Sequence, residues 1–142
     1  MQNGLFSTLK QKKWSDHMPL MNLEGFFLQY ADFHIRGDAH GLMTQFTEKA
    51  IFWEACGSDL HGREEILGWF KFMFSRWEID SMEYNLATEV VREDLVCCAN
   101  YWNVRCCEKG SEQSARNVIV RATYALRLTE DGLKIWHLHS GV

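Results

Sequence analysis

The apolar positions between residues 20 and 36 repeat with the period of an α-helix. Spacings of four, three and four residues separate the members of one set, which therefore share a helical face. This set is Leu23, Phe27, Tyr30 and His34. Pro19 suits the first position of such a helix, where its missing N–H costs no hydrogen bond, and Gly37 suits the residue after its end. The pattern predicts a helix over residues 20–36.

Two further helices and a short strand are predicted before residue 78. Asp38 can cap a short helix that carries Leu42 and Phe46 on one face. Residues 51–55 are typical of a strand, and residues 56–62, which include two glycines, are typical of a loop. Over residues 63–77 apolar side chains again recur at helical spacing, so a third helix should bury that stripe. The stripe consists of Ile66, Trp69, Phe70, Met73 and Trp77.

From residue 83 onward the period changes to that of β-strands. Four β-rich runs cover residues 83–91, 95–107, 116–128 and 133–139, and short polar segments separate them. Helices followed by a series of long strands predict an α+β fold, with the helices on one face of an antiparallel sheet. We expect one domain over residues 20–142, preceded by an N-terminal arm over residues 1–19.

Alternation along the strands predicts which side chains face the helices, because neighbouring strand residues point to opposite faces. Between residues 117 and 128 the even-numbered positions are apolar apart from Tyr124, so this set should face inward. The two sets of the last strand are both mixed, and alternation alone leaves the orientation of that strand open.

Composition and charge narrow the classes of function. Fifteen basic and nineteen acidic side chains give a net charge of −4, which disfavours nucleic-acid or anionic-lipid partners. No apolar run approaches the roughly 20 residues that a membrane-spanning helix needs. Residues 1–20 lack the apolar core of a secretory signal, and five cysteines without such a signal indicate reduced thiols in a cytoplasmic protein.

Four of the cysteines form the adjacent pairs Cys97–Cys98 and Cys106–Cys107. Adjacent residues of a strand point to opposite faces, so neither pair can chelate one ion. We expect these side chains to pack as small apolar groups, and we expect neither a metal nor a cofactor.

Three motifs follow one another along residues 20–142. The first is Arg-Gly-Asp at residues 36–38, followed by Gly-Leu at 41–42. The second is His-Gly-Arg-Glu-Glu-Ile at 61–66. The third is Arg-x-Thr-x-Ala-x-Arg at 121–127, followed by Asp-Gly at 131–132 and Ile-x-His-x-His-Ser at 135–140. In order and spacing the chain resembles the nuclear-transport-factor-like (NTF2-like) superfamily, which includes ketosteroid isomerase, the SnoaL-like polyketide cyclases and the association domain of calcium/calmodulin-dependent kinase.

The resemblance implies a cone-shaped, strongly curved antiparallel (mixed) sheet with three N-terminal helices packed on its concave face. An apolar cavity between helices and sheet is then the expected ligand site. The convex face is expected to pair two subunits into a homodimer, with His137 and His139 on that outer face and no metal between them. On this view the inward residues of the last and central strands include Lys134, Trp136, Leu138, Ser140, Asn100 and Trp102.

The resemblance to ketosteroid isomerase also implies candidate catalytic residues. Tyr30 lies seven residues before Gly37, as the isomerase's oxyanion-hole tyrosine lies before its Gly-Asp turn. Glu54 lies sixteen residues after Asp38, in the place of the isomerase's catalytic aspartate. Tyr124 takes the approximate position of its second oxyanion donor.

Two of the candidate roles remain open at the level of sequence. His34, one turn after Tyr30, would be either a second acid–base group or a structural histidine near the end of its helix. Glu54 would lie in the cavity if Phe52 also points inward, and in solvent if Trp53 does so instead.

These residues suggest proton transfer next to a carbonyl group. A carboxylate in an apolar pocket can act as a general base, and phenols can stabilise an enolate oxygen. We expect a small apolar carbonyl compound as ligand and, if the protein is an enzyme, an isomerase, cyclase or dehydratase. The alternative is a non-catalytic module that binds a ligand or pairs subunits. The expected cavity wall comprises Phe27, Phe52, Ile66, Trp69, Phe70, Met73, Asn100, Trp102, Trp136 and Leu138.

Overall fold

The computed structural model describes residues 22–141, so the predicted arm over residues 1–19, with Pro19, lies outside the described residues. The described residues form three helices and six strands. The helices are α1 (Leu23–Arg36), α2 (Ala39–Met43) and α3 (Gly62–Arg76). The strands are β1 (Phe46–Glu54), β2 (Asp59–His61), β3 (Trp77–Arg92), β4 (Leu95–Glu108), β5 (Ser111–Thr129) and β6 (Gly132–Gly141).

The six strands form one mixed sheet in the order β2-β1-β6-β5-β4-β3. β1 and β6 run parallel, and every other neighbouring pair is antiparallel. The sheet is curved but does not close on itself, and the helices lie on its concave face. The predicted α+β cone fold is confirmed. None of the helices in the described part of the chain is long and apolar enough to span a membrane.

The two ends of α1 are fixed by specific caps. The side chain of Asn22 accepts the backbone N–H of Gly25 at 2.9 Å, so the helix begins at Leu23, three residues later than predicted. Gly37 ends it with a φ of 64°, a left-handed conformation that favours glycine. Asp38 then caps α2 by accepting the N–H of Gly41 at 2.8 Å, as its position after a helix-ending glycine predicts.

Three predicted boundaries between elements are wrong. Phe46 is not on the face of α2 but opens β1, because the helix stops at Met43 and the backbone at Gln45 already pairs with β6. Trp77 has the extended φ and ψ of −123° and 140°, so it begins β3 rather than ending α3. The predicted loop at residues 56–62 contains the short strand β2, which forms a hairpin with β1.

A β-bulge in β6 overturns the predicted orientation of Trp136. Ala125 pairs with His137 while the next residue, Leu126, pairs with Ile135, which leaves Trp136 without a partner on β5. The extra residue switches the alternation, as bulges do, so Ile135 is buried before the bulge and Leu138 after it. Trp136 points to the convex face instead of inward. It is 43% exposed there, with the guanidinium of Arg127 5.0 Å from its ring centre.

The concave face carries the core, as alternation along β4 and β5 predicts. Even-numbered residues from Val96 to Val104 are buried, and Tyr124 and Leu126 continue the pattern on β5. Each buried aromatic or aliphatic side chain contributes roughly 1.5–3 kcal/mol by leaving water.

On α3, Ile66 and Phe70 are buried as predicted. Trp69 and Met73, which were also expected to be buried, are only partly so because they face a cavity.

Candidate functional site

A cavity of about 340 Å³ opens between the concave face of the sheet and helices α1 and α3. This volume is at the lower end of the range for small-molecule sites, roughly 300–1,000 Å³. The wall is mostly apolar, and it includes five of the residues expected there: Phe52, Trp69, Phe70, Met73 and Trp102. The four candidate catalytic residues also line it: Tyr30, His34, Glu54 and Tyr124.

A larger groove of about 660 Å³ lies beside the C-terminal end of α1, but its chemistry is different. Its wall carries charged side chains of both signs from α1, β3, β4 and β5. Arg36 pairs with Asp32 at 2.8 Å and Arg105 with Asp80 at 3.7 Å, so these two guanidinium groups already have counter-ions. The apolar cavity is therefore the better candidate site for an apolar ligand.

Five residues expected on the cavity wall lie elsewhere. Phe27, Ile66 and Leu138 are fully buried in the core, where neighbouring side chains fill the space around them. Asn100 is also buried away from the cavity, and neither of its amide atoms has a hydrogen-bond partner among the described residues. Trp136 lies on the convex face because of the bulge in β6.

Three aromatic side chains with polar atoms form a buried cluster on the cavity wall. The rings of Tyr30 and Trp102 stack with their centres 5.4 Å apart, and the ring of Tyr124 meets that of Tyr30 edge-on at 5.7 Å. The indole Nε1–H of Trp102 donates to the hydroxyl oxygen of Tyr124 at 2.8 Å. Two neighbouring strands and α1 thus bring one indole and two phenols together.

Burial raises the pKa of Tyr30 and of Tyr124 well above the usual range, so both phenols are protonated at neutral pH. The neighbouring phenol has a smaller effect: it lowers the pKa of Tyr30 and raises that of Tyr124. The hydroxyl oxygen of Tyr124 accepts the indole N–H, so this contact uses neither phenolic proton. Both phenols therefore keep a hydroxyl proton to donate at the cavity wall.

His34 is held in a defined tautomer beside this cluster. Its Nδ1 lies 2.7 Å from the backbone carbonyl oxygen of Tyr30. A carbonyl can only accept, so Nδ1 carries the proton and Nε2 has the lone pair. Burial lowers the pKa of His34 to about 4, although the hydrogen bond to Tyr30 opposes part of that shift. At pH 7 the imidazole is neutral, and Nε2 is its remaining acceptor.

Glu54 lies at the edge of the cavity, where β1 ends. Phe52 is buried and Trp53 is 47% exposed, so Glu54 shares the inward side of the strand with Phe52. This is the inward of the two alternatives that the sequence left open. Its carboxylate is only partly buried, however, and accepts the backbone N–H of Cys56 at 2.9 Å. The acid therefore stands at the mouth of the cavity and not deep within it.

The wall also contains residues that were not singled out from the sequence. Val118, Val120 and Ala122 line it, as the inward set of β5 requires, and Arg116 extends this set by one position. The alternation of β5 was the signal that could have identified Arg116. Arg116 does not stand out in this pattern because it is charged, whereas the other members of the set are apolar or phenolic.

The mixed curved sheet and the cavity between it and the helices define an NTF2-like α+β domain. The family model of the SnoaL-like domain matches residues 23–142. The chain therefore belongs to the SnoaL-like domain family. No curated protein sequence matches the chain significantly.

Solved structures share the fold at low sequence identity. A ketosteroid isomerase-like protein from Erwinia carotovora atroseptica is 13% identical, with a TM-score of 0.74 over 87% of this chain and 94% of its own. A candidate dehydratase of the NTF2-like family from Streptomyces avermitilis is 18% identical, with a TM-score of 0.68 and coverages of 83% and 91%. A candidate calcium/calmodulin-dependent protein kinase type II association domain from Thiobacillus denitrificans is 15% identical, with a TM-score of 0.70 and coverages of 85% and 94%. Such likeness shows the fold alone.

Replacing His34 by Asn should remove a pH-dependent loss of stability. An unfolded histidine has a pKa near 6.5 and the folded one a pKa of about 4, so the unfolded state binds the proton more tightly. The contribution of His34 is therefore complete above pH 6.5 and declines, by at most roughly 3 kcal/mol, as the pH falls to 4. The Asn side chain can still donate to the Tyr30 carbonyl but does not titrate.

Urea unfolding at several pH values measures this difference. Between pH 6.5 and 4 the wild type should lose more free energy of unfolding than H34N does. Equal losses in the two proteins would contradict the burial of a neutral imidazole.

Proposed function

We propose that the cavity binds a small, largely apolar carbonyl compound and catalyses proton transfer next to its carbonyl group. Isomerisation, cyclisation and dehydration all use such a step. The observation that carries this proposal is the pair of buried, protonated phenols of Tyr30 and Tyr124, which pack with the indole of Trp102 on the cavity wall. Apolar walls around these hydroxyl groups suit an apolar ligand with one hydrogen-bond acceptor.

The phenol cluster would act on the carbonyl oxygen. A carbonyl oxygen that accepts from Tyr30 gains negative charge when a proton leaves the neighbouring carbon. The indole N–H of Trp102 donates to the hydroxyl oxygen of Tyr124, and a hydroxyl group that accepts such a bond becomes a stronger donor itself. The cluster would therefore stabilise the enolate more than the neutral ketone, which is what lowers the barrier.

Two groups on the wall could receive and return the proton. Glu54 offers a carboxylate at the mouth, and His34 offers the lone pair on Nε2 of a neutral imidazole. In an isomerisation the base would take the proton from one carbon and return it to another. In a dehydration the proton would go to the departing hydroxyl group, which leaves as water. We assign Glu54 as the base and His34 as a second acid–base group.

A non-catalytic role is the second candidate, and the position of Glu54 favours it. The carboxylate already accepts the N–H of Cys56 and is partly exposed to solvent, so it is not enclosed with the ligand. A domain of this kind would bind its ligand without turning it over. One structural neighbour, the candidate kinase association domain, has the fold without being described as an enzyme.

Exchange of protons for deuterium in a simple ketone tests catalysis without the natural substrate. With 2-cyclohexen-1-one in D₂O, followed by NMR, the wild type should accelerate exchange next to the carbonyl. Tyr30→Phe should slow the catalysed exchange by roughly 10²-fold, because it removes the donor to the oxyanion. Glu54→Gln, which keeps an acceptor for the Cys56 N–H, should also abolish most of it.

Tyr84→Phe is the matched control, since Tyr84 packs against Trp102 but does not line the cavity. It should leave exchange unchanged. Binding of the ketone without any exchange above the solution rate would reject catalysis in favour of the binding module. Unchanged exchange in Glu54→Gln would remove Glu54 as the base.

We also propose that two copies of the chain pair through the convex face of the sheet. A sheet face in water is usually polar, yet this one exposes four large side chains. They are Trp53, Tyr101, Ile119 and Trp136. His137 and His139 flank Trp53, with ring centres 4.6 and 6.1 Å from it. Burial of this surface against a second copy would remove it from water.

The free thiols of the cysteines favour a cytoplasmic location. All five are free thiols, and only Cys98 is fully buried. Exposed thiols such as Cys56 and Cys97 persist in a reducing compartment. We propose that the protein resides there.

Ile119→Arg should convert the dimer to a monomer at micromolar concentration, because it places a charge on the proposed contact face. Sedimentation equilibrium measures the mass directly. Leu28→Arg is the control, since Leu28 is equally exposed but lies on α1. A wild-type protein with monomeric mass would contradict the dimer.

A further inference from the structure

Arg116 is the cationic side chain on the wall of the cavity. It belongs to the inward set of β5, together with Val118, Val120, Ala122 and Tyr124, all of which line the same cavity. From residue 116 to residue 124 the strand covers roughly 26 Å, at about 3.3 Å per residue, although curvature shortens the direct distance. The cavity is therefore a trough along β5, with Arg116 at one end. Tyr30 stacks on Trp102, which pairs with Val120, so Tyr30 is about four residues, or roughly 13 Å of strand, from Arg116.

The guanidinium of Arg116 is positioned by a ring and not by a counter-ion. Its central carbon lies 4.8 Å from the ring centre of Trp77, which also lines the cavity. Among the described residues no carboxylate lies within ion-pair distance of Arg116, in contrast to Arg36 and Arg105. Stacking on a ring occupies the flat face of a guanidinium and leaves the N–H groups at its edge free.

The negative group of the wall, Glu54, and its positive group, Arg116, lie at different positions along the trough. Glu54 pairs with Ser140 of β6, and Ser140 pairs with Ala122 of β5. Glu54 is thus level with Ala122, six residues or roughly 20 Å of strand from Arg116. A ligand with one carboxylate would be repelled at the end near Glu54 and attracted at the end near Arg116.

We propose that Arg116 is a specificity-determining residue that binds the carboxylate of the ligand. The site then takes an elongated oxo-acid: a carboxylate at Arg116, an apolar body against Val118 and Val120, and a carbonyl group near Tyr30. The inference rests on the proposed function for the carbonyl end alone. The carboxylate end depends only on Arg116 and Trp77.

The test compares three probes of similar length: 7-oxooctanoate, its methyl ester and 2-octanone, with binding followed by tryptophan fluorescence or calorimetry. The wild type should bind 7-oxooctanoate about tenfold or more tightly than the ester, a typical effect of one charge-assisted contact. This preference should weaken with added salt. Arg116→Gln should remove the preference and leave affinity for 2-octanone unchanged, and Arg116→Lys should restore part of it.

Arg127→Gln is the matched control, because Arg127 also stacks on a tryptophan of the same sheet but on the convex face. It should keep the full preference for the carboxylate. A preference that survives in Arg116→Gln, or that is absent in the wild type, would overturn the proposal.

The two proposals fail in distinguishable ways. If 2-octanone binds in a manner that depends on Tyr30 but the carboxylate adds nothing, only the role of Arg116 is rejected. If the carboxylate preference depends on Arg116 while Tyr30→Phe leaves ketone binding and proton exchange unchanged, the proposed function is rejected and the anion contact stands.

Discussion

Burial of polar side chains beside an apolar hollow is the constraint on which this site depends. A buried donor or acceptor without a partner costs about 1–3 kcal/mol, so the phenols and the indole at the cavity must satisfy one another. Trp102 donates to Tyr124, and the hydroxyl protons of the two buried phenols, Tyr30 and Tyr124, are the donors that remain. The same requirement fixes His34, whose Nδ1–H bonds the Tyr30 carbonyl. The polar atoms of the cavity wall are therefore few, and their positions are fixed.

The hollow itself exists because the helices fill the concave face of the sheet only in part. Phe70 of α3 stacks on Phe52 of β1 and closes one side, while Trp69 and Met73 remain partly exposed towards the cavity. Complete filling by these side chains would add stability, since each packed ring contributes to the core. The fold alone does not decide what occupies the space, because one architecture supports many functions. The side chains of the cavity wall determine what can occupy it.

Much of the fold could be predicted from the sequence because local rules dominate it. The helical spacing from Leu23 to His34, the end of α1 at Gly37 and the cap at Asp38 depend only on neighbouring residues. The inward face of β5 followed from strict alternation. The bulge at Trp136 could not be predicted, because it depends on how β6 pairs with both neighbours, and alternation assumes an uninterrupted ladder.

The site was predictable to a lesser degree. Tyr30, Tyr124, His34 and Glu54 all reach the cavity, but their roles depend on distances and burial that spacing does not encode. Phe27 has the same helical face as Tyr30 and yet lies in packed core, because the cavity occupies only part of the space under α1. Residues that line a cavity and residues that fill a core have the same sequence pattern. Only the three-dimensional arrangement separates them.

A crystal structure with bound 2-cyclohexen-1-one would show whether Tyr30 is the donor to the ligand's carbonyl oxygen. We expect the ketone in the cavity with its oxygen about 2.5–3.0 Å from the hydroxyl oxygen of Tyr30. The hydrogen bond from Trp102 to Tyr124 should be retained in the complex. A ketone bound with its oxygen away from Tyr30, or a cavity that stays empty at saturating ketone, would contradict this role of Tyr30.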